Sequence, residues 1–371
     1  MPFDRTQPYN DLPFLPPAPG LYTDPEILQK LVVASRALAT VNGHIRQLPN
    51  PDLLINTLAL QEAKTSTAIE NIFTTEDKLY KAISDTARGE QADPATKEVL
   101  RYREALWGGY QRLREHNEIT LDLILTIVKQ VKNTELPIRP AHAQVVIRRG
   151  QSDLRPGEIV YTPPRHDRLL PELLNNVIDY MRNDEEYPGD PLLKMCIMHY
   201  QFEAIHPFQD GNGRTGRVLN LLYLVKKGLL NQPVLYLSKY IITHKEDYYY
   251  LLGAVTQRGN WKEWILYLLD AVEQTAVLTQ HVIEEILGQM EATLEQGKRN
   301  IKWYNKEVNE ALFTQPYLKP RVVGEMMGKS SRTTLTKYMD ELVKASIVSP
   351  KKEGKEVYYL NNNLIRILES Y

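Results

Sequence analysis

A single cysteine, Cys196, stands in 371 residues, so no disulfide can form within the chain. It lies in the apolar run "LLKMCIMHYQF", where a small buried core residue is expected. Charge of one sign is also scarce. Lys and Arg number 45 against 46 Asp and Glu, a formal net charge of −1. That balance excludes wholesale electrostatic attachment to nucleic acid or to an anionic membrane. Long apolar runs are missing: none approaches the ~20 residues that cross a bilayer. The N-terminal "MPFDRTQPYNDLPFLPPAPG" lacks the basic-then-apolar order of a secretory signal. No membrane partner and a cytoplasmic location are therefore expected. Internal repeats and low-complexity tracts are absent, and the first hundred residues show no β-type alternation.

What remains has the composition of a globular protein, 43% hydrophobic and 25% charged, with enough chain for two or three domains. Residues 1–24 are proline-rich and read as an extended arm over the surface. From Asp24-Pro25 a helix is expected, because Ile27, Leu28, Leu31, Val32, Ala34 and Leu38 keep helical spacing. Two more helices are expected within 51–90, then others over "ATKEVLRYREALWGGYQRLRE" and "TLDLILTIVKQVKN". The texture changes at 137–167. Val145–Ile147 and Ile159–Tyr161 read as the strands of a hairpin around a Gly- and Pro-containing turn, ended by Pro163-Pro164. Helices resume at "LLPELLNNVIDYMRND", at "DPLLKMCIMHYQFEAI" and through "KEDYYYLLGAVTQRGNWKEWILYLLDAV", with a polar helical stretch over 273–298. The last seventy residues read helix, turn, helix, then a hairpin with Gly354 at its tip, the order of a winged helix-turn-helix. Twelve Lys and Arg against eight Asp and Glu make 301–371 about +4 and the rest about −5. DNA and protein both stand open as partners of this part.

Chemistry concentrates in "HPFQDGNGRTGR", residues 206–217. Glycines in a turn between two helices let successive N–H groups converge on an anion. The second helix adds its unpaired N–H groups and positive dipole end. Arg214 and Arg217, three apart, share a face and suit phosphate oxygens. Asp210, the only carboxylate of the stretch, is placed to hold Mg²⁺ beside phosphates. His206, at the end of the preceding helix, suits removal of a proton from a hydroxyl that attacks phosphorus.

This stretch resembles the signature of the Fic family, HPFx[DE]GNGRxxR, with no defining position substituted. The likeness extends over roughly 100–275, taking in the hairpin and "YIITHKEDYYYLLGAVTQRGNW". It implies a mainly α fold: a Fic-type helical bundle with a small β-hairpin flap, here followed by the winged helix. It also implies transfer of AMP from ATP, with Mg²⁺, to a hydroxyl side chain (Ser, Thr or Tyr) of a target protein. By the resemblance His206 is the general base and Asp210 the Mg²⁺ ligand. Gly211, Asn212 and Gly213 would cradle the α- and β-phosphates. Arg214 would support the β-phosphate and Arg217 would bind the γ-phosphate, with Thr215 and Gly216 between them. Tyr248, Tyr249 and Gln257 resemble the adenosine-contacting region, and Phe208 is expected as a core anchor.

A second motif lies upstream. In "TSTAIENI", Ser66, Glu70 and Asn71 match [ST]xxxE[GN] of the family's inhibitory helix. The resemblance implies that Glu70 pairs with Arg217 when the γ-phosphate is absent. The expected division is 1–105 with the inhibitory helix, 106–275 as catalytic core, 276–300 as connector and 301–371 as winged helix. Two other functions stay in view: a hydrolase that removes AMP with water positioned by Glu70, and a nucleotide-sensing transcription regulator. A zinc hydrolase built on His206 and Asp210 lacks the third ligand such sites need. Self-modification and a homodimer are left open.

Overall fold

The computed structural model describes residues 3–46, 51–84, 86–135, 137–149, 157–328 and 331–371. Its helices follow the capping and spacing of the sequence. Asp24 accepts from the N–H groups of Glu26 and Ile27 and starts α1, Pro25–Arg46. One stripe of α1, from Ile27 through Leu31, Ala34, Leu38 and Val41 to Ile45, is buried. It lies along α12, Trp261–Asn300, with which Lys30 forms ion pairs to Asp270 and Glu273. The stretch 276–300 is the second half of this unbroken helix and buries Ala276, Thr279, Val282, Ile283, Ile286 and Met290.

Between them come α2 (Pro51–Ile69), α3 (Glu76–Ser84), α4 (Thr86–Gln91), α5 (Pro94–His116) and α6 (Leu121–Lys132). Asp93 and Thr120 cap α5 and α6 at their starts, and Asn117 and Asn133 end them in the left-handed conformation. After α7 (Leu169–Arg182), α8 (Pro191–Ile205) and α9 (Asn212–Lys226) form the centre of the body. α8 is buried all round from Leu192 to Ile205, as a helix enclosed by other helices must be. α10 (Leu237–Thr243) and α11 (Lys245–Arg258) close one side. Among the described residues no helix is long and apolar enough to cross a membrane.

The hairpin consists of β1, Ile147–Arg149, and β2, Glu158–Tyr161, antiparallel, with its tip at 150–156 outside the described residues. The first strand therefore starts two residues later than the apolar run suggested. Opposite Val145 and Val146 the chain has reached Thr162 and Pro163-Pro164, and proline has no N–H for a ladder. Arg149 donates to Glu158 at 2.7 and 2.9 Å and fixes the register. The N-terminal arm covers the hairpin's far end: Tyr9 N–H donates to the Thr162 carbonyl, and Leu12 and Leu15 are buried.

The C-terminal part runs α13 (Lys306–Leu312), β3 (Tyr317–Leu318), α14 (Pro320–Met326), α15 (Arg332–Lys344), β4 (Ser349–Glu353), β5 (Glu356–Leu360) and α16 (Asn362–Glu369). The sheet order is β3-β5-β4, all antiparallel, and β4 and β5 form the hairpin expected as the wing. Its wing rests on α3. Asp77 accepts from Lys351 at 2.5 Å, from Lys81 at 2.6 Å and from Tyr317 at 2.8 Å, and Lys81 also pairs with Glu353.

Candidate functional site

α8 stops at Ile205 because His206 turns left-handed (φ 49°, ψ 61°) and Pro207 cannot continue the helix. A positive φ is costly for a residue with a Cβ, so neighbours must hold it. The buried Arg139 does so. Its guanidinium donates to the carbonyls of His206 (2.7 Å), Pro164 (2.7 Å) and Ile205 (3.1 Å), and its N–H donates to Pro207 (2.9 Å). The imidazole Nδ1 lies 3.3 Å from the Glu203 carbonyl. A carbonyl only accepts, so Nδ1 carries the hydrogen and the Nε2 lone pair is left for other work. Burial, then the charge of Arg139, push this imidazole down to about 4, so it is neutral at neutral pH.

The three glycines serve different ends. Gly211 alone needs its backbone freedom: it sits at φ 83° as the residue before α9. Gly213 and Gly216 make room for acids. A Cβ on Gly213 would fall 2.5 Å from Glu70 Oε1, and one on Gly216 would fall 2.5 Å from Glu203 Oε1. Asn212 closes the loop, its side-chain amide exchanging two 2.8 Å hydrogen bonds with the backbone of Phe208. Phe208 is a core anchor with no exposure.

Both arginines are 2% exposed, but their partners differ. Arg217 donates to Ser66 Oγ (2.7 Å) and the Ser66 carbonyl (2.9 Å) on the last turn of α2, and to Glu70 Oε1 (2.7 Å) just beyond it. Burial works against an ionised Glu70, yet the charge and hydrogen bond of Arg217 hold its carboxyl below the usual range. Arg214 pairs instead with Glu98 of α5 and lies 3.7 Å from Asp210. Asp210 accepts from Lys132 and from the Gly211 N–H, each at 2.5 Å. Against the cost of burial, Lys132 and then Arg214 keep it ionised. Its side chain is 61% exposed. A single ionised, accessible carboxylate suits Mg²⁺ when phosphate oxygens and water supply the other ligands. Among the described residues no three His, Cys, Asp or Glu side chains converge as a zinc centre requires.

These groups enclose a cavity of about 270 Å³. Its floor is His206, Gln209 to Gly213 and Arg217, and Glu70 and Glu203 stand at its back. Tyr248, Tyr249 and Leu252 of α11 form one wall, and Val145 to Arg148, leading into the hairpin, form the other. Tyr248 is fixed by a 3.0 Å hydrogen bond to His199. Ser66, Asn71, Arg214, Thr215, Gly216 and Gln257 do not line it. Thr215 is fully buried on the inner side of α9, and Gln257 is exposed two turns beyond Tyr249. A larger cavity of about 450 Å³ under the N-terminal arm is walled by Phe14, Tyr200 and Trp261 and holds no charged side chain. Of these two cavities, only the smaller is lined by charged side chains.

Sequence reasoning missed Arg139, Lys132, Glu98, Glu203 and Lys245. Only Glu203 left a signal, a carboxyl inside the otherwise apolar last turns of α8. It is 5% exposed, its Oε1 has no partner, and burial, opposed by Arg217 and aided by Glu70, pushes it up to about 8.

Three family models match consecutive stretches of the chain. "Fic/DOC family N-terminal" covers 28–111 and "Fic/DOC family" covers 118–224. "Protein adenylyltransferase SoFic-like, C-terminal domain" covers 289–364. A probable protein adenylyltransferase of Aquifex aeolicus is 29% identical over 42% of this chain and 52% of its own length. Protein adenylyltransferase fic-1 of Caenorhabditis elegans is 25% identical over 54% of this chain and 35% of its own. The chain thus spans about half or less of the curated relatives it matches. Among solved structures, a Fic family protein from Desulfovibrio desulfuricans shares the fold at TM-score 0.56 and 20% identity, covering 91% of this chain and 96% of that one. Fic-1 of C. elegans (residues 134–508) shares it at TM-score 0.52 and 20% identity, over 69% and 73%.

Proposed function

Since this chain belongs to the Fic/DOC family, we propose that it transfers AMP from ATP to a hydroxyl side chain of a target protein. One observation carries the reading. A neutral imidazole with a free Nε2 shares a single cavity with the start of α9 and with Arg217. The first N–H groups of α9 have no intrahelical acceptors and point their dipole at an anion. They would take the α- and β-phosphates, and Arg217 the γ-phosphate. Asp210 would hold Mg²⁺, which neutralises charge on the departing pyrophosphate.

His206 Nε2 accepts the proton of a Ser, Thr or Tyr hydroxyl as its oxygen bonds to the α-phosphorus. The bond from that phosphorus to the β-bridging oxygen breaks, and pyrophosphate leaves. The target segment would be aligned by adding as a strand beside the hairpin. Glu70, which holds Arg217 in this structure, would compete with the γ-phosphate and so restrain the reaction. A second reading, hydrolytic removal of AMP, is favoured by Glu70 itself, a carboxylate in the same cavity able to orient water. The test is incubation with Mg²⁺ and ATP labelled at either the α- or the γ-phosphate, with intact-mass analysis of the protein and its targets. Label from the α position with a mass gain of AMP is expected. Label from the γ position alone would replace the reading with phosphorylation.

A further inference from the structure

The turn that carries Glu70 is tied to its own helix by N–H groups. Glu70 donates to Thr67 (3.1 Å), Asn71 to Ala68 (3.0 Å) and Ile72 to Thr67 (3.3 Å). These bonds set the shape of the turn but not its distance from the cavity. Across residues 69–72, the described hydrogen bonds to the rest of the body come from two side chains. One is Arg217, on the Glu70 carboxylate. The other is Lys245.

Lys245 Nζ donates to the Ile69 carbonyl at 2.6 Å and to Asn71 Oδ1 at 3.2 Å, so its ammonium spans the residues on both sides of Glu70. The Ile69 carbonyl is one of the last on α2 and has no following helical N–H, and a cation there also meets the negative end of the helix dipole. Asn71 is held at φ 61°, the left-handed cap that swings Glu70 back toward the cavity. Burial lowers the lysine's pKa and the charge of Glu70 opposes that. Lys245 opens α11, and the next turn of that helix supplies Tyr248 and Tyr249 to the cavity wall. The turn is thus fastened to the wall of the site it restrains.

We propose that Lys245 is a positioning residue for inhibition, fixing the 69–71 turn so that the Glu70 carboxylate meets Arg217. This rests on the reading of Glu70 as a restraint on AMP transfer. Lys245 is not among the residues that line the cavity, and its hydrogen bonds reach the site through the 69–71 turn.

The test measures incorporation of α-labelled ATP into the protein itself for the full chain, Glu70→Gly, Lys245→Met, Lys245→Arg and the Glu70→Gly/Lys245→Met double variant. Methionine keeps the stem and removes the charge. Lys245→Met should raise the rate about tenfold, the loss of a charge-assisted hydrogen bond. Lys245→Arg should stay near the parent rate. In the Glu70→Gly background Lys245→Met should add nothing, which a merely structural role would not produce. If Glu70→Gly itself leaves the rate unchanged, the restraint reading fails first. If Glu70→Gly raises the rate but Lys245→Met does not, the assignment of Lys245 is overturned. A Lys245→Met effect of equal size in both backgrounds overturns it as well.

Discussion

Arg214 and Arg217 stand one helical turn apart in a single motif and are equally buried, yet they are held by different parts of the molecule. The acid on Arg214 is Glu98, near the start of α5, a helix packed against α6 and α9 inside the body. The acid on Arg217 is Glu70, beyond the last residue of α2, on a turn fastened by two side chains. The first pairing is part of the scaffold, and the second is the one that, on the proposed reading, a phosphate would replace. A guanidinium accepts a carboxylate or a phosphate with the same planar fork, so a nucleotide can compete for Arg217 without disturbing Arg214. Equal residues at helical spacing are thus held from two different parts of the chain, and the proposal makes one contact fixed and the other exchangeable. What separates them is where the chain brings their partners from.

The largest expected effect falls on the fixed side. His206→Ala in the Glu70→Gly background should lower AMP transfer by ~10²–10⁴, the usual contribution of a general base. Binding of ATP, followed by calorimetry, should change little, because the α9 N–H groups and Arg217 do not depend on the imidazole. Undiminished single-turnover transfer would remove His206 from its role.

On the exchangeable side, Glu70→Gly should raise transfer by up to ~10², since a misplacement of about 1 Å at the reacting phosphorus costs that much. Any hydrolytic removal of AMP should fall in the same variant. Glu98→Gln sharpens the contrast. It should lower stability by roughly 1–3 kcal/mol, leaving Arg214 short of a charged partner, and should not release activity. If Glu98→Gln activated the protein as Glu70→Gly does, the two arginines would be equivalent after all.

The parts legible in the sequence were those written locally. Pro207 after a buried apolar helix marked the end of α8, and the order of short elements expected after 301 matches the helices and antiparallel strands found there. The motif marked the floor of the cavity, and the resemblance brought Glu70 to Arg217 across 147 residues. The supports were not legible, because each depends on a partner far along the chain. Arg139 lies 67 residues from His206, Glu98 lies 116 from Arg214, and Lys245 lies 176 from Ile69. Nothing in "PIRPAH" or "THKED" distinguishes these side chains from surface cations. The glycines were half legible. Gly211 has the backbone freedom its position suggested, whereas Gly213 and Gly216 answer to acids that approach from α2 and α8. Val145 and Val146 had strand-like residues, but the strand opposite ends before Pro163-Pro164 and they line the cavity instead.

The smallest expected effect is a pH profile that stays flat across the neutral range, and it bears on both regions at once. His206 is depressed from 6.5 to about 4 by burial and then by Arg139. Its lone pair is therefore available above that value and is lost as pH falls through about 4. Glu70 is held below its ordinary range, so it too stays ionised through the neutral range and lets go of Arg217 only in stronger acid. The carboxyl of the cavity that changes charge nearest neutrality is Glu203, neutral up to about 8. On α2, Glu62 is pushed up to about 7 by burial, but it does not line the cavity and its carboxylate accepts instead from Tyr102 and Ser238. For Glu70→Gly, kcat/KM for ATP should thus be level from pH 5 through neutrality, with an acid limb at or below about 4 and, since the Glu70 charge that helps raise Glu203 is gone, a decline that sets in at or below about 8. Glu203→Gln, which keeps the shape of the neutral acid and cannot ionise, should abolish the decline and leave the acid limb in place. An acid limb near 6.5 would mean that the imidazole works exposed to solvent, and that Arg139 does not hold the fixed half of the site closed.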